Sequence, residues 1–314
     1  AKYSFDDIIG SSPAIRENIL MAKRYSRVDS NVLIVGETGT GKELFAHSIH
    51  RESRRSAEPF VALNCAALPE NLLESELFGY EPGAFSGASK NGKTGLFELA
   101  HKGTIFLDEI NSMPIELQSV LLRTIQEKEI RRVGAQKNIY VDIRIISACN
   151  KNMEELIADG KFRADLYYRL NTLKLTMPDL ETRKEDIPPL CGYFLKRYSA
   201  KYSVPIPALS PEDSEILLKR SWPGNVRELE NTMHRYVILS SLQHCSVNDC
   251  LDGTPPEQAA SSGASQPPLE GTLAQMELAL IRKCLEENHG SREKTAKQLG
   301  ISRSTLWKKL SQQA

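Results

Sequence analysis

No run of apolar residues in this sequence approaches the ~20 that a helix needs to cross a bilayer. No leader of the secretory type is visible either. Net charge is also lacking: 40 Lys and Arg balance 40 Asp and Glu, so only local clusters of charge can point to a partner. None of the six cysteines (Cys65, Cys149, Cys191, Cys245, Cys250, Cys284) belongs to a C-x-x-C pair. That absence argues against a disulfide framework and predicts reduced thiols in a cytoplasmic protein. His244, Cys245 and Cys250 match no zinc-ligand spacing, and there is no internal repeat. What remains is a chain of 314 residues, enough for two or three modules with a sizeable core. It opens on Ala1 and reads as a piece of something longer.

Against this background one stretch stands out. Gly36, Glu37, Thr38, Gly39, Thr40, Gly41, Lys42 and Glu43 carry the G-x-x-x-x-G-K spacing of a phosphate-binding loop. An apolar run, Val32 to Val35, precedes it as a buried strand, and Leu44, Phe45 and Ile49 follow at helical spacing. The glycines let backbone N–H groups close around phosphates, and the helix N-terminus adds partial positive charge. Lys42 supplies a point charge for the β- and γ-phosphates. Glu43 stands where a hydroxyl would ordinarily touch Mg²⁺.

Four more apolar runs read as strands: 60–63, 104–107, 143–148 and 173–175. Alternating with helices such as 115–127, they predict a parallel five-stranded sheet covered on both faces. Ligands bind such sheets beyond the carboxyl ends of the strands, where Gly36, Asn64, Asp108 and Asn150 converge. Asp108 and Glu109 end the third strand, one carboxylate suited to Mg²⁺ and the other to orienting and deprotonating a water. Strands that end in acids often do so only to cap the next helix. Residues 1–31 hold a helical pattern (Ile15, Ile19, Leu20) behind Ser11, Ser12 and Pro13, and helices are expected over 72–80, 95–100, 190–198, 211–220 and 226–240. Residues 252–271, rich in Pro, Ser, Ala, Gly and Gln, read as a flexible linker.

Three segments admit two readings each. In 81–88, Gly83 and Gly87 bracket Phe85 in a small, polar loop, so the ring is either tucked under the domain or presented to a partner. In 162–170, Phe162, Leu166 and Leu170 form a helical stripe with Arg163 and Arg169 about 60° to either side, as solvated flanks or as functional cations. Residues 291–310 read as helix, turn at Gly300 and second helix, with Ala296 at the crossing, Ser302 as cap, and Leu306 and Leu310 inward. Six basic residues against one acid after His289 make this a candidate major-groove reader. Arg292, Ser302, Arg303, Ser304, Thr305, Trp307 and Lys308 are placed to reach DNA. A helical dimerisation bundle is the alternative.

The combination resembles the bacterial enhancer-binding proteins, the NtrC-type AAA+ activators of sigma-54 RNA polymerase. The residues that carry the resemblance are the phosphate loop; Glu76 to Gly79; Gly83, Ala84, Phe85, Ser86, Gly87 and Ala88; Gly103 to Glu109; Phe162 to Leu170; and Trp222 to Leu229. It spans nearly the whole chain. It implies an AAA+ P-loop NTPase subdomain over 1–177, a helical lid over 178–251, a linker over 252–271 and a Fis-type helix-turn-helix over 272–314. It also implies ATP and Mg²⁺ as ligands, a hexamer or heptamer ring, a dimer through the DNA-binding domain, enhancer DNA and sigma-54 polymerase as partners, and no membrane. No receiver or sensor domain is expected within the sequence.

Residue by residue, the resemblance makes the 83–88 loop the sigma-54 contact, and Arg163 and Arg169 the fingers that reach a neighbour's γ-phosphate. Arg227 becomes the second sensor of nucleotide, and Asn64 the residue that restrains Glu109. Two positions depart from the family pattern: Ser86 and Cys149 stand where Thr is usual. Ser86 keeps a hydroxyl; Cys149 offers only a weak hydrogen-bonding group, which shifts γ-phosphate sensing towards Asn150. Two other functions fit parts of the sequence: a DNA-bound regulator with little ATPase, and an AAA+ remodeller of some other protein.

Overall fold

The computed structural model describes residues 1–84, 89, 91–242, 245–251, 281, 285, 291–299 and 306. In chain order it begins with α1 (Pro13–Ser26), β1 (Val32–Val35), α2 (Lys42–Arg51), β2 (Phe60–Asn64) and α3 (Glu70–Phe78). There follow β3 (Gly79–Tyr80), β4 (Lys93–Thr94), α4 (Leu96–Leu99), β5 (Thr104–Asp108) and α5 (Ile115–Glu127). Next come β6 (Glu129–Ile130), β7 (Ile139–Tyr140), β8 (Arg144–Cys149), α6 (Met153–Ala158), α7 (Ala164–Leu170) and β9 (Leu173–Thr176). After these lie α8 (Ile187–Tyr202), α9 (Pro211–Lys219), α10 (Asn225–Leu242) and α11 (Arg292–Gln298). Two compact units divide between Arg183 and Lys184.

In the first unit the order β2-β5-β8-β1-β9 is parallel throughout. Both faces are apolar because alternate side chains bury on opposite sides. Leu33, Ile105, Leu107, Ile145 and Cys149 pack on one face with Leu117, Leu121, Phe162 and Leu166. Val32, Ile34, Phe106, Ile146 and Ala148 pack on the other with Ile15, Phe45 and Ile49. The five strands coincide with the apolar runs read from the sequence. Pro13 opens α1 behind Ser12, whose hydroxyl accepts from the Ile15 N–H at 3.4 Å, as the Ser-Ser-Pro signal implies.

Two readings need correction. The helix expected over 72–80 ends at Phe78, because Gly79 takes φ 75° and pairs as β3 with β4. A Cβ at Gly79 would fall 2.4 Å from the Lys93 carbonyl oxygen, so only glycine permits that turn. The expected helix over 95–100 shortens to Leu96–Leu99. The β6–β7 hairpin was not expected at all, since two-residue strands carry no periodicity to read.

On α2, His47 and His50 are buried and pack on the Phe60 ring with centroids 4.3 and 5.1 Å away. His50 Nδ1 lies 2.9 Å from the Thr104 hydroxyl, and His47 Nδ1 accepts from the Lys2 N–H at 3.0 Å. Burial lowers both imidazoles to about 4. The half-exposed Glu43 carboxylate, 3.7 Å from His47, is too well solvated to reverse this. The native pKa is below the unfolded one, so the unfolded chain takes up protons first as pH falls. Stability from these rings is complete above pH 6.5 and declines down to about 4, by on the order of 2–3 kcal/mol per ring. Thermal melts between pH 7.5 and 4.5 are expected to show this decline, and His47→Phe should reduce it by about half, leaving the His50 share.

The second unit packs α10 against α8, with the His234 ring stacked 3.9 Å from Tyr198 and its Nε2 2.8 Å from the Tyr202 hydroxyl. Ser210 and Asp213 cap α9 reciprocally, and Pro211 is its first residue. Among the described residues no helix is long and apolar enough to cross a membrane. The linker reading of 252–271 lies outside the described residues, as do Ser302, Arg303, Ser304, Thr305, Trp307 and Lys308. Arg292 opens α11 as an exposed side chain, Ala296 and Leu306 are buried as the helix-turn-helix pattern expects, Leu299 is buried as well, and Gly300 and Leu310 lie outside the described residues.

Candidate nucleotide site

The phosphate loop leaves the sheet where the Gly36 N–H donates to the Cys149 carbonyl at 3.1 Å. A Cβ at Gly36 would meet Met177 Cβ at 2.7 Å. Gly39 and Gly41 turn the chain through φ 81° and 102°, and Lys42 then starts α2. Among the described residues the N–H groups of Gly39, Gly41 and Glu43 find no acceptor. Three donors at one helix N-terminus make an anion cradle. Lys42 Nζ bends across the loop to the carbonyls of Gly36 (2.7 Å) and Glu37 (2.8 Å). From below, the buried Arg183 donates to the Thr40 carbonyl at 3.1 Å and braces the loop. A cleft of about 320 Å³ opens beside it, lined by Gly36, Glu37, Asn150, Tyr167, Thr176 and Met177 among others.

Asp108 and Glu109 stand at the end of β5, as read. Glu109 adopts left-handed backbone (φ 50°, ψ 46°), and its N–H donates to Asp108 Oδ1 at 3.0 Å. A non-glycine residue held there costs on the order of 1 kcal/mol, which the flanking sheet and the 3₁₀ turn Ile110–Ser112 sustain. Burial pushes the Asp108 carboxyl up, Glu109 and Glu43 push it further, and the Glu109 N–H and Lys42 pull it back. Asn150 donates to the Thr38 hydroxyl at 3.2 Å, while its Oδ1 is buried without a partner among the described residues. A buried Asp108 carboxyl, with Glu109 and Glu43 acting on it, and an unpartnered Asn150 Oδ1 past the end of the neighbouring strand β8 fit a hydrated divalent cation carried in with phosphates.

Cys149 is fully buried, with its thiol 3.7 Å from the Lys151 carbonyl, so Asn150 is the residue that this strand end sends to the loop. Asn64 Oδ1 accepts from the Ala66 N–H at 2.8 Å. No hydrogen bond joins Asn64 to Glu109 among the described residues.

The arginines are less symmetric than the stripe suggested. α7 begins only at Ala164, and Arg163 is its cap, in extended backbone at φ −79°, ψ 129°. The cause is the buried Gln118, whose Oε1 accepts from the Arg163 N–H at 2.9 Å while its amide donates to the Met113 and Lys161 carbonyls. The Arg163 guanidinium forms a two-pronged pair with Asp165 (3.0 and 2.7 Å) and reaches Ser119 at 3.3 Å. Arg169 is exposed and unpaired among the described residues. Its carbonyl accepts from Asn31, at the amino end of β1. The phosphate loop starts at the other end, roughly 16 Å away at ~3.3 Å per residue. Arg227, exposed on α10, belongs to the second unit.

The base of the 83–88 loop is held by a network that the sequence did not disclose. The Glu81 N–H donates to the Val133 carbonyl and the Val133 N–H to the Gly79 carbonyl, at 3.0 and 2.9 Å. Arg132 clamps Glu98 with two bonds of 2.8 Å and reaches Glu81 at 3.3 Å. Its guanidinium holds the Glu98 carboxyl below the usual range. Gly83 takes φ 76°. Phe85, Ser86, Gly87 and Ala88 lie outside the described residues.

Residues 8–176 match the model of the sigma-54 interaction domain, 181–266 that of the AAA+ ATPase lid domain and 272–312 that of the bacterial regulatory protein, Fis family. The chain belongs to the sigma-54-dependent transcriptional regulators. Its first unit is the AAA+ ATPase domain of that family. Among its relatives, the transcriptional regulatory protein ZraR of Klebsiella oxytoca is 44% identical over 307 residues, covering 97% of this chain and 68% of ZraR. The regulatory protein AtoC of Escherichia coli K12 is 41% identical over 317 residues, with 98% and 68% covered. The signal-transduction and transcriptional-control protein of Clostridium beijerinckii is 46% identical over 310 residues, with 99% of this chain but 49% of that protein covered. The chain thus spans from 49% to 68% of the length of these relatives. Among solved structures, NtrX from Brucella abortus in complex with ATP superposes with a TM-score of 0.73 at 33% identity, over 97% of this chain and 68% of NtrX.

Within this sigma-54-dependent regulator, Gln118, Arg132, Arg183 and Asn111 were not read from the sequence as site residues. Asn111 Oδ1 accepts from the Asn150 N–H at 3.4 Å. Gln118 carried a usable signal, a polar residue on the apolar face of α5 next to Leu117 and Leu121. The others are surface-type residues whose partners are distant in sequence.

Proposed function

We propose that this chain forms a ring, hexameric or heptameric, that hydrolyses ATP between neighbouring copies and drives the 83–88 loops against sigma-54. The proposed borders are 1–177 for the ATPase core, 178–251 for the lid, 252–271 for the linker and 272–314 for a dimeric helix-turn-helix on enhancer DNA, in the cytoplasm. The observation that carries the reading is the separation of parts. The cradle of 36–43 and the acid pair gather at one sheet edge, while Arg169 sits near the opposite end of β1. An arginine side chain spans only about half that gap, so its target is another copy's nucleotide.

In the proposed cycle, the free N–H groups of Gly39, Gly41 and Glu43 grip the phosphates, and Lys42 exchanges its loop carbonyls for their oxygens. Asp108 and the Asn150 amide hold the metal–phosphate assembly in register, and Mg²⁺ supplies charge to the β- and γ-phosphate oxygens when bound. Glu109 accepts the proton of the attacking water. Asn64 positions Glu109, and Arg227 contacts nucleotide from the lid. The neighbour's Arg163 and Arg169 meet the charge that develops on the γ-phosphoryl group.

Steady-state phosphate release tests the motor directly. The wild-type rate is expected to rise with protein concentration and to vanish in Lys42→Ala; a rate no higher than that control would leave a DNA-bound regulator without hydrolysis. Phe85→Ala is expected to keep ATPase within about two-fold while abolishing sigma-54 capture in the presence of a transition-state analogue, measured by native gel. Unchanged capture would assign the client contact elsewhere.

A further inference from the structure

Two consecutive residues of α5 reach the cation at the start of α7. Gln118 is completely buried, and an amide so placed costs free energy unless its polar groups find partners. Its Nε2 donates to the Met113 carbonyl at 2.8 Å and the Lys161 carbonyl at 3.0 Å, and its Oε1 accepts from the Arg163 N–H at 2.9 Å. Turned over, the amide would set its oxygen against two carbonyls and an N–H against an N–H, so its surroundings fix its orientation. The Lys161 carbonyl and the Arg163 N–H flank the buried Phe162. The amide thus bonds to both sides of one residue, as a neighbouring strand would, and holds Arg163 in the extended backbone from which α7 begins. Just upstream, the N–H groups of Lys161 and Phe162 both donate to the Leu156 carbonyl, at 2.9 and 3.1 Å. These bonds close the end of α6, so the Arg163 N–H falls between the two helices with Gln118 as its acceptor. The next residue, Ser119, accepts from the Arg163 guanidinium at 3.3 Å. One helix therefore holds this arginine at both its backbone and its tip.

We propose that Gln118 is a positioning residue for the Arg163 finger: it aims the guanidinium at a neighbour's γ-phosphate without touching nucleotide itself. The assignment rests on the reading of Arg163 as a finger that acts on another copy. Without the amide, the stripe of Phe162, Leu166 and Leu170 favours a helix that starts earlier, and the Arg163 side chain swings off its line. A misplacement of about 1 Å costs a reaction about 10²-fold in rate.

Gln118→Met fills a similar space and makes none of the three bonds. It is expected to release phosphate about 10²-fold more slowly than wild type, with the affinity of the protomer for a non-hydrolysable ATP analogue unchanged. Mixing experiments separate aiming from folding. With an equal amount of Lys42→Ala, which keeps its arginines, about one junction in four joins an intact cradle to an intact finger, and the rate should rise to about a quarter of wild type. With Arg163→Ala, every junction lacks a working finger and no rise is expected. A defect in the variant's own cradle would reverse this pattern. Melting curves report whether the variant is folded. If it is not, Gln118→Asn, whose amide falls one methylene short of the same partners, goes through the same mixtures. A normal rate in Arg163→Ala would remove the reading on which the assignment rests. A slow Arg163→Ala beside a Gln118→Met at the wild-type rate would overturn the assignment alone. So would a folded Gln118 variant that recovers with Arg163→Ala, or with neither partner.

Discussion

Glu109→Gln is expected to bind ATP with an affinity within a few-fold of wild type and to hydrolyse it about 10²–10⁴ times more slowly. The substitution keeps the side chain's length and its capacity to orient a water, but removes the base that takes the proton. Glu109 sits in left-handed backbone beside Asp108, whose carboxyl accepts its N–H at 3.0 Å; the amide variant preserves that turn. Lys42→Ala differs in kind. It removes the ammonium that spans the loop, so nucleotide binding itself is lost. Isothermal titration with a non-hydrolysable analogue, alongside phosphate release, separates the two. Equal loss of binding in both variants would show that Glu109 acts in ground-state affinity and not in chemistry.

Arg169→Ala is expected to lower turnover by about 10³-fold or more while leaving nucleotide affinity of the isolated protomer unchanged. Its guanidinium is exposed and makes no ion pair among the described residues, so its removal carries little folding cost. Arg163→Ala is expected to match it in turnover, with an added structural signature. Arg163 is paired with Asp165 and Ser119 within its own subunit, so engaging a neighbour requires release of that pair. Asp165→Asn should therefore lower the protein concentration at which the rate saturates. A normal rate in both arginine variants would remove the trigger from the mechanism.

The sheet was legible because its inner strands β1, β5 and β8 are apolar runs buried on both faces, and runs of that kind declare themselves without partners. Val32 to Val35 and Arg144 to Cys149 are examples, fixed by pattern alone. The phosphate loop was legible for a different reason: Gly39 and Gly41 hold positive φ that few other residues tolerate. What could not be read were contacts closed over long sequence separations. Arg132 finds Glu98 34 residues away, and Gln118 finds Arg163 45 residues away; neither pairing leaves a local trace. The helical stripe from Phe162 to Leu170 misplaced Arg163 for the same reason. A buried amide on another helix took its N–H and delayed the first turn. Gly79 ended α3 two residues early because a backbone partner approaches too closely for any Cβ.

The shared site is the central claim, and mixing two dead variants tests it most directly. Lys42→Ala lacks a cradle but keeps its arginines; Arg169→Ala keeps its cradle but lacks a finger. In a head-to-tail ring assembled from equal amounts of each, about one junction in four pairs an intact cradle with an intact arginine. The account predicts that phosphate release by the mixture rises from the two near-zero baselines to about a quarter of the wild-type rate. A mixture no more active than the sum of its parents, under conditions where the two variants co-assemble, would contradict it.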